Sequence, residues 1–211
     1  MLLTITVFTA TLSAQAIPVA SLDTENLTAA IVTHQGRPAT RLAGTGDSYG
    51  LTLLKGNAFH NGTIEVELAG QPAANAGAGA RGFVGVAFRL QDDTQKHELI
   101  YLRPTNGRAD DMLRRNHSTQ YTSEPEWPWE RLRKESSGVY ESYVDLEPGV
   151  FTRYKIVVKG SRAELYVHDA QQPCLIVKDL KLGDVSGSIA LWIGPGTEAH
   201  FANLKITPDA R

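Results

Sequence analysis

Past residue 20 the chain alternates apolar and polar residues with a period of two, and the 3.6-residue period of an amphipathic helix is nearly absent. Between Gly62 and Leu68, Ile64, Val66 and Leu68 fall on one face and Thr63, Glu65 and Glu67 on the other. Further along, Val84, Val86 and Phe88 oppose Gly85, Ala87 and Arg89, while Ile100 and Leu102 oppose Tyr101 and Arg103. Tyr154, Ile156 and Val158 alternate with Arg153, Lys155 and Lys159; Leu165 and Val167 with Glu164, Tyr166 and His168; Ile189, Leu191 and Ile193 with Ala190, Trp192 and Gly194. Successive side chains of a strand point to opposite faces, so each segment reads as a strand with one face for a core. Lys159-Gly160-Ser161-Arg162 is a tight hairpin connection, and Gly70 to Gly82 is a small-residue loop without core-forming side chains. Many short strands, each apolar on one face, predict an all-β fold, an antiparallel β-sandwich or jelly roll of two sheets. Its expected core holds Ile64, Val66, Val84, Val86, Phe88, Ile100, Leu102, Ile156, Val158, Leu191 and Ile193.

The outward faces of these strands differ. Arg and Lys dress the 153–159 strand, as expected for a solvated sheet. The 83–89 and 189–194 strands instead carry Gly85, Ala87, Ala190 and Gly194, with one large side chain apiece, Arg89 and Trp192. Tiny residues beside an isolated Arg or Trp predict an open floor where a ligand fits; the same residues would also let a neighbouring segment pack closely.

Arg103 to Tyr121 adds four arginines, two adjacent aspartates, two asparagines, a histidine and a glutamine, and Trp127 and Trp129 follow. Planar hydrogen-bond forks and flat rings make directional contacts, so this block reads as a wall of a polar recognition site. Sugars present hydroxyl pairs to such forks and C–H faces to such rings. The expected substrate-binding residues are Tyr101, Arg103, Asn116, His117, Trp127, Trp129 and Trp192. Cleavage of a glycosidic bond commonly needs two acids facing it, and Glu65, Glu67, Glu98, Asp110, Asp111 and Glu141 are candidates. Glu98 leads, because a carboxylate in an apolar strand needs a partner and Arg89 lies on an expected neighbouring strand; the same two residues would serve equally as a structural ion pair. Strict alternation puts Glu98 opposite Tyr101, so it joins their cleft only through a bulge near Leu99 or from the strand's rim.

A length of 211 residues suits one domain, and 42% hydrophobic residues supports a real core. The net charge of −2 argues against a nucleic-acid partner, whose phosphates call for a basic surface. Leu2 to Leu12 is an uncharged apolar run, and Ala14-Gln15-Ala16 has the small-x-small pattern of a cleavage site. Residues 1–16 therefore read as a signal peptide too short to span a bilayer, with residues 17–211 as one secreted or periplasmic jelly-roll domain. Cys174 is the sole cysteine and reads as a small buried hydrophobe. The six histidines are scattered, and nucleotide-binding and hydrolase-elbow motifs are absent, so neither metal nor cofactor is expected.

Three runs carry a family resemblance: Gly82-Phe83-Val84-Gly85-Val86-Ala87-Phe88-Arg89, His97-Glu98-Leu99-Ile100-Tyr101-Leu102-Arg103-Pro104, and Gly194 to Leu204. They resemble concanavalin A-like jelly rolls, in particular the secreted 3-keto-disaccharide hydrolase-like (laminin-G-like) group, over roughly residues 50 to 207. The resemblance implies that Arg89 and Glu98 face a sugar cleft as the catalytic pair. The chain departs from that group in lacking its opening Asn-Gly-x-Asp-Leu with a following Trp, and in having Ile100 where a Gln often stands. Together these readings expect one cleft holding Arg89, Glu98, Tyr101, Arg103, Asn116, His117 and Trp192. It would bind a saccharide on the concave sheet face and cleave a glycosidic bond, or serve as a non-catalytic carbohydrate-binding or adhesion module. Oligomeric state is not legible.

Overall fold

A computed structural model describes residues 14–44, 48–92 and 96–210. The expected signal peptide lies outside the described residues as far as residue 13. Among the described residues there are fourteen strands: β1 (Leu22–Glu25), β2 (Leu27–His34), β3 (Arg37–Gly44), β4 (Gly50–Phe59), β5 (Gly62–Pro72), β6 (Val84–Leu90), β7 (His97–Leu102), β8 (Thr119–Glu124), β9 (Glu141–Ser142), β10 (Thr152–Lys159), β11 (Arg162–Val167), β12 (Leu175–Val177), β13 (Gly187–Ile193) and β14 (Thr197–Pro208). Two short helices, α1 (Met112–Arg115) and α2 (Trp129–Glu135), flank β8 in sequence. The strands form two antiparallel sheets, ordered β1-β4-β13-β6-β7-β8-β9 and β12-β11-β10-β5-β14-β3-β2. All eleven expected core residues lie in the apolar layer between them. No helix among the described residues is long and apolar enough to cross a membrane.

The outer faces of the two sheets are unlike. On the second sheet, Arg153 stands opposite Glu67 and Lys155 opposite Glu65, so opposite charges pair across the strands of a solvated surface. On the first sheet, Leu51, Ala87, Leu90, Leu99, Tyr101, Ala190 and Trp192 form a second apolar cluster. The first sheet is therefore covered on both sides, and its outer cover is where a cleft forms.

Alternation fails between β6 and β13, and the failure moves a predicted residue. Along β6 and β13 the pairing shifts from Ala190↔Ala87 to Ser188↔Leu90, which leaves an extra residue on β6. Arg89 adopts φ of 54° there, a left-handed conformation that turns its side chain inward and gives its outer-face place to Leu90. The guanidinium, 0% exposed, donates to the carbonyls of His60, Gly160 and Gly183 and to Asn61 Oδ1, and lies 3.4 Å from Asp184. It ties the β4–β5 and β10–β11 turns to the 183–184 loop at one end of the sandwich.

Cys174 is half-buried against the core, and burial pushes its thiol up to about 12. On the second sheet's outer face, His200 stacks on His34 with ring centroids 3.8 Å apart. Burial first, then the neighbouring His34, lowers His200 to about 4; Arg41 adds to this and Glu198 opposes it. Because the folded pKa is below the unfolded value near 6.5, this group's contribution is intact above pH 6.5 and is lost as pH falls towards 4. The unfolding free energy of the wild type, measured by denaturant titration across that window, should fall as pH drops from 6.5 towards 4. His200→Gln should flatten the slope; an unchanged slope in that variant would assign the acid sensitivity elsewhere.

Candidate functional site

The cleft begins with register. β7 and β8 pair with Tyr101 opposite Gln120, Leu99 opposite Thr122 and His97 opposite Glu124. These residues share the outer face with Trp192 of β13, which stands opposite Gly85 of β6. The aromatic floor is tight rather than open. A Cβ on Gly85 would lie 2.6 Å from Tyr101 Cβ, and one on Gly194 would lie 2.6 Å from Phe83 Cβ and 2.9 Å from Trp192 Cη2. The small residues thus let rings lie against the backbone, which corrects the expectation of a bare floor. Tyr101 and Trp192 meet at a 4.8 Å centroid distance, and Tyr49 lies 6.3 Å from Trp192.

Above this floor is a cleft of two joined lobes. The first, about 690 Å³, lies between Tyr49, Phe83, Trp129 and Trp192, with Glu124 at one side. The small-residue loop supplies its far wall through Ala73, Asn75, Ala76, Gly77, Gly79 and Ala80. Short side chains leave room there, which is the use the sequence makes of a loop with nothing to bury. The second lobe, about 430 Å³, shares Gly79, Phe83, Tyr101 and Trp129 with the first and adds Arg81, Arg103, Arg114, His117 and Arg133. Both volumes fall in the range of about 300–1,000 Å³ typical of small-ligand sites.

Trp129 marks the junction of the lobes. It opens α2 directly after Pro128, and α2 is anchored by buried Leu132 and by an i,i+4 pair of Arg131 and Glu135. That helix sets Trp129, 37% exposed, beside the guanidinium groups of Arg133 at 4.6 Å and Arg103 at 5.7 Å. Tyr49, 40% exposed, faces the other end of the aromatic lobe.

The polar lobe rests on a buried network. Arg103, 5% exposed, donates to Tyr101 Oη at 2.9 Å, Gln120 Oε1 at 3.1 Å and the His117 carbonyl at 3.2 Å. Its second nitrogen lies 3.5 Å from Glu141, which Arg133 also holds through several contacts and His117 Nε2 approaches to 3.2 Å. Burial lowers the pKa of His117, with Arg133 and Arg103 reinforcing it and Glu141 opposing, so the ring favours its neutral form. In the aromatic lobe burial raises the Glu124 carboxyl, a Thr122 hydrogen bond opposes this and Glu130 adds to it. Among the described residues no three His, Cys, Asp or Glu side chains gather to hold a metal ion.

Of the residues expected in one cleft, the structure brings together Tyr101, Arg103, His117, Trp129 and Trp192. Asn116 is exposed at the end of α1 and borders neither lobe. Trp127 turns the other way, packing on the core with Arg131 stacked 3.6 Å above its ring. The expected catalytic pair is also elsewhere. The β6–β7 register carries no shift between Val84 and Phe88, so no bulge rescues Glu98, which shares the inner face with Ile100 and Leu102. Glu98 accepts from Tyr121 Oη at 2.7 Å and from the Leu182 amide at 2.8 Å, and burial pushes its carboxyl up. Arg89 is inward through its own bulge. Tyr49, Arg81, Phe83, Glu124 and Arg133 were not singled out from the sequence; Phe83, inside the resembling run, carried the nearest thing to a signal.

No protein-family model and no curated protein matches the chain. Solved structures do. A carbohydrate-binding module from Bacillus subtilis, CBM66, superposes with a TM-score of 0.62 at 14% identity, covering 87% of this chain and 93% of that one. A Bacillus subtilis protein described as having a galectin-like fold gives 0.59 at 11% identity over 92% and 91%. The exoplasmic/lumenal domain of VIP36, in a Ca2+/Man3GlcNAc-bound form, gives 0.56 at 10% identity over 92% and 87%. The fold is a galectin-like, concanavalin A-like β-sandwich.

Proposed function

We propose that this domain binds a saccharide in the two-lobed cleft on the outer face of its first sheet, as a recognition module rather than by cutting a glycosidic bond. The observation that carries this is the pairing of exposed rings with fixed polar forks: Tyr49 and Trp129 flank a lobe whose neighbour holds Arg103, Gln120 and His117 in a buried network. Flat rings take the C–H face of a pyranose, and guanidinium and amide groups take its hydroxyls. Structural neighbours described as a carbohydrate-binding module and as an oligosaccharide-bound lumenal domain support the same class of ligand. A saccharide met outside the cell accords with the signal peptide read over residues 1–16.

Hydrolysis of a 3-keto-glycoside, which the sequence resemblance implies, would need acid and base or nucleophile at one bond. Among the described residues Glu124 is the one carboxylate bordering the aromatic lobe, and Glu98 is bonded away inside the sandwich. A panel of neutral, acidic and 3-keto glycans should show saturable binding without products. Glu98→Gln should leave glycan affinity within about twofold while lowering stability by about 1–3 kcal/mol, the cost of disturbing a buried hydrogen-bonded group. Products that disappear with Glu124→Gln or Glu98→Gln would replace the recognition reading with an enzymatic one.

A further inference from the structure

The arginines of the polar lobe outnumber their acids. Arg81, Arg103, Arg114 and Arg133 border it, against Asp111 at its rim and Glu141 beneath. Glu141 is already held by Arg133 as well as by Arg103. Asp111 caps α1, accepting from the Arg114 amide at 3.0 Å. Among the described residues neither Arg81 nor Arg114 has a carboxylate within ion-pair distance. Both guanidinium groups are half-buried and donate to neutral oxygens only: Arg81 to the carbonyls of Ala78 and Ala80, Arg114 to Asn106 Oδ1 and to the carbonyl and hydroxyl of Thr105. Burial, then the like charges of Arg114 and Arg103, lower the Arg81 pKa, the signature of crowded cations without a counter-ion. This occurs in a chain whose net charge is −2, so the excess is local.

We infer that the polar lobe receives an oxyanion carried by the saccharide, a carboxylate or a sulfate ester, held between Arg81 and Arg114 while the sugar ring lies against Trp129. The inference rests on the saccharide-binding reading and narrows it to acidic glycans. Planar forks suit such anions because two parallel N–H groups meet two oxygens. Adjacency supplies the second half of the assignment: the cationic and aromatic lobes share Gly79, Phe83, Tyr101 and Trp129 in their walls, which puts both within reach of one ligand. A free inorganic anion would leave the aromatic lobe without a role.

A glycan panel of oligouronides, sulfated oligosaccharides and neutral oligosaccharides, probed with the full chain, tests this. The tightest ligands should be acidic, and which acidic class they belong to distinguishes carboxylate from sulfate. Reducing the carboxyl groups or removing the sulfates of the tightest ligand should weaken it about tenfold or more. Arg114→Gln and, separately, Arg81→Gln should weaken the acidic ligand by a similar factor and leave its neutral counterpart within about twofold, with thermal unfolding reporting that each variant is folded. Neutral glycans bound as tightly as acidic ones would overturn the inference and leave the saccharide reading standing. Equal loss of acidic and neutral ligands in both folded variants would overturn it too, by assigning the arginines to hydroxyl recognition. Retention of no glycan of any class would overturn the saccharide reading itself.

Discussion

Arg89→Met should lower the unfolding free energy by about 3–5 kcal/mol, the range for removing one partner from a buried, hydrogen-bonded charge network. For a chain of this size that corresponds to a fall in Tm of roughly 10 °C. The carbonyls of His60, Gly160 and Gly183 would lose their donor together, and methionine would fill the space without replacing a single hydrogen bond. The left-handed backbone at Arg89, which costs any non-glycine residue about 1–3 kcal/mol, is common to arginine and methionine and cancels in the difference. Calorimetry of the variant checks this. Glycan affinity measured well below the variant's Tm should match the wild type, since Arg89 borders neither lobe. A variant as stable as the wild type but unable to bind would return Arg89 to the functional site.

Trp129→Ala should weaken glycan binding by about 2 kcal/mol or more, roughly thirtyfold, the scale of an aromatic hot spot. Its ring borders both lobes and stands beside Arg103 and Arg133. Being 37% exposed, it contributes less to the core than Trp192, so stability should change by no more than about 1 kcal/mol. By contrast Trp192→Ala would open a cavity in the outer apolar cluster and unfold the domain more readily, by about 3–5 kcal/mol. Isothermal titration paired with thermal unfolding separates the two. Equal affinity in Trp129→Ala would remove the ring from recognition.

The fold was legible because burial on one face writes a period of two into the sequence, and the inner faces from Ile64 to Ile193 kept it. Alternation places Glu98 opposite Tyr101, and the condition for its joining the cleft, a bulge near Leu99, is not met, because the bulge lies at Arg89 on the neighbouring strand. A single residue at positive φ leaves no trace in a polarity pattern, so Arg89 was read outward. Trp127 and Trp129 parted for a similar reason: Trp127 pairs back onto Ser123 at the end of β8, while Trp129 begins a helix that turns its ring to the cleft. Tyr49, Arg81 and Glu124 belong to segments far apart in sequence that meet only through sheet order. The Gly70 to Gly82 loop carries small side chains with no core to join, and the same smallness makes it a cleft wall.

The central claim, that the outer face of the β1-to-β9 sheet receives the ligand, is tested most directly by mapping amide chemical-shift changes as a bound glycan is titrated into the labelled domain. The account predicts changes concentrated at Tyr49, the 73–82 loop, Tyr101, Arg103, Trp129 and Trp192, with the second sheet's charged face around Glu65 and Lys155 unaffected. Changes concentrated on that charged face, or around Arg89 and Glu98 at the sandwich end, would contradict it.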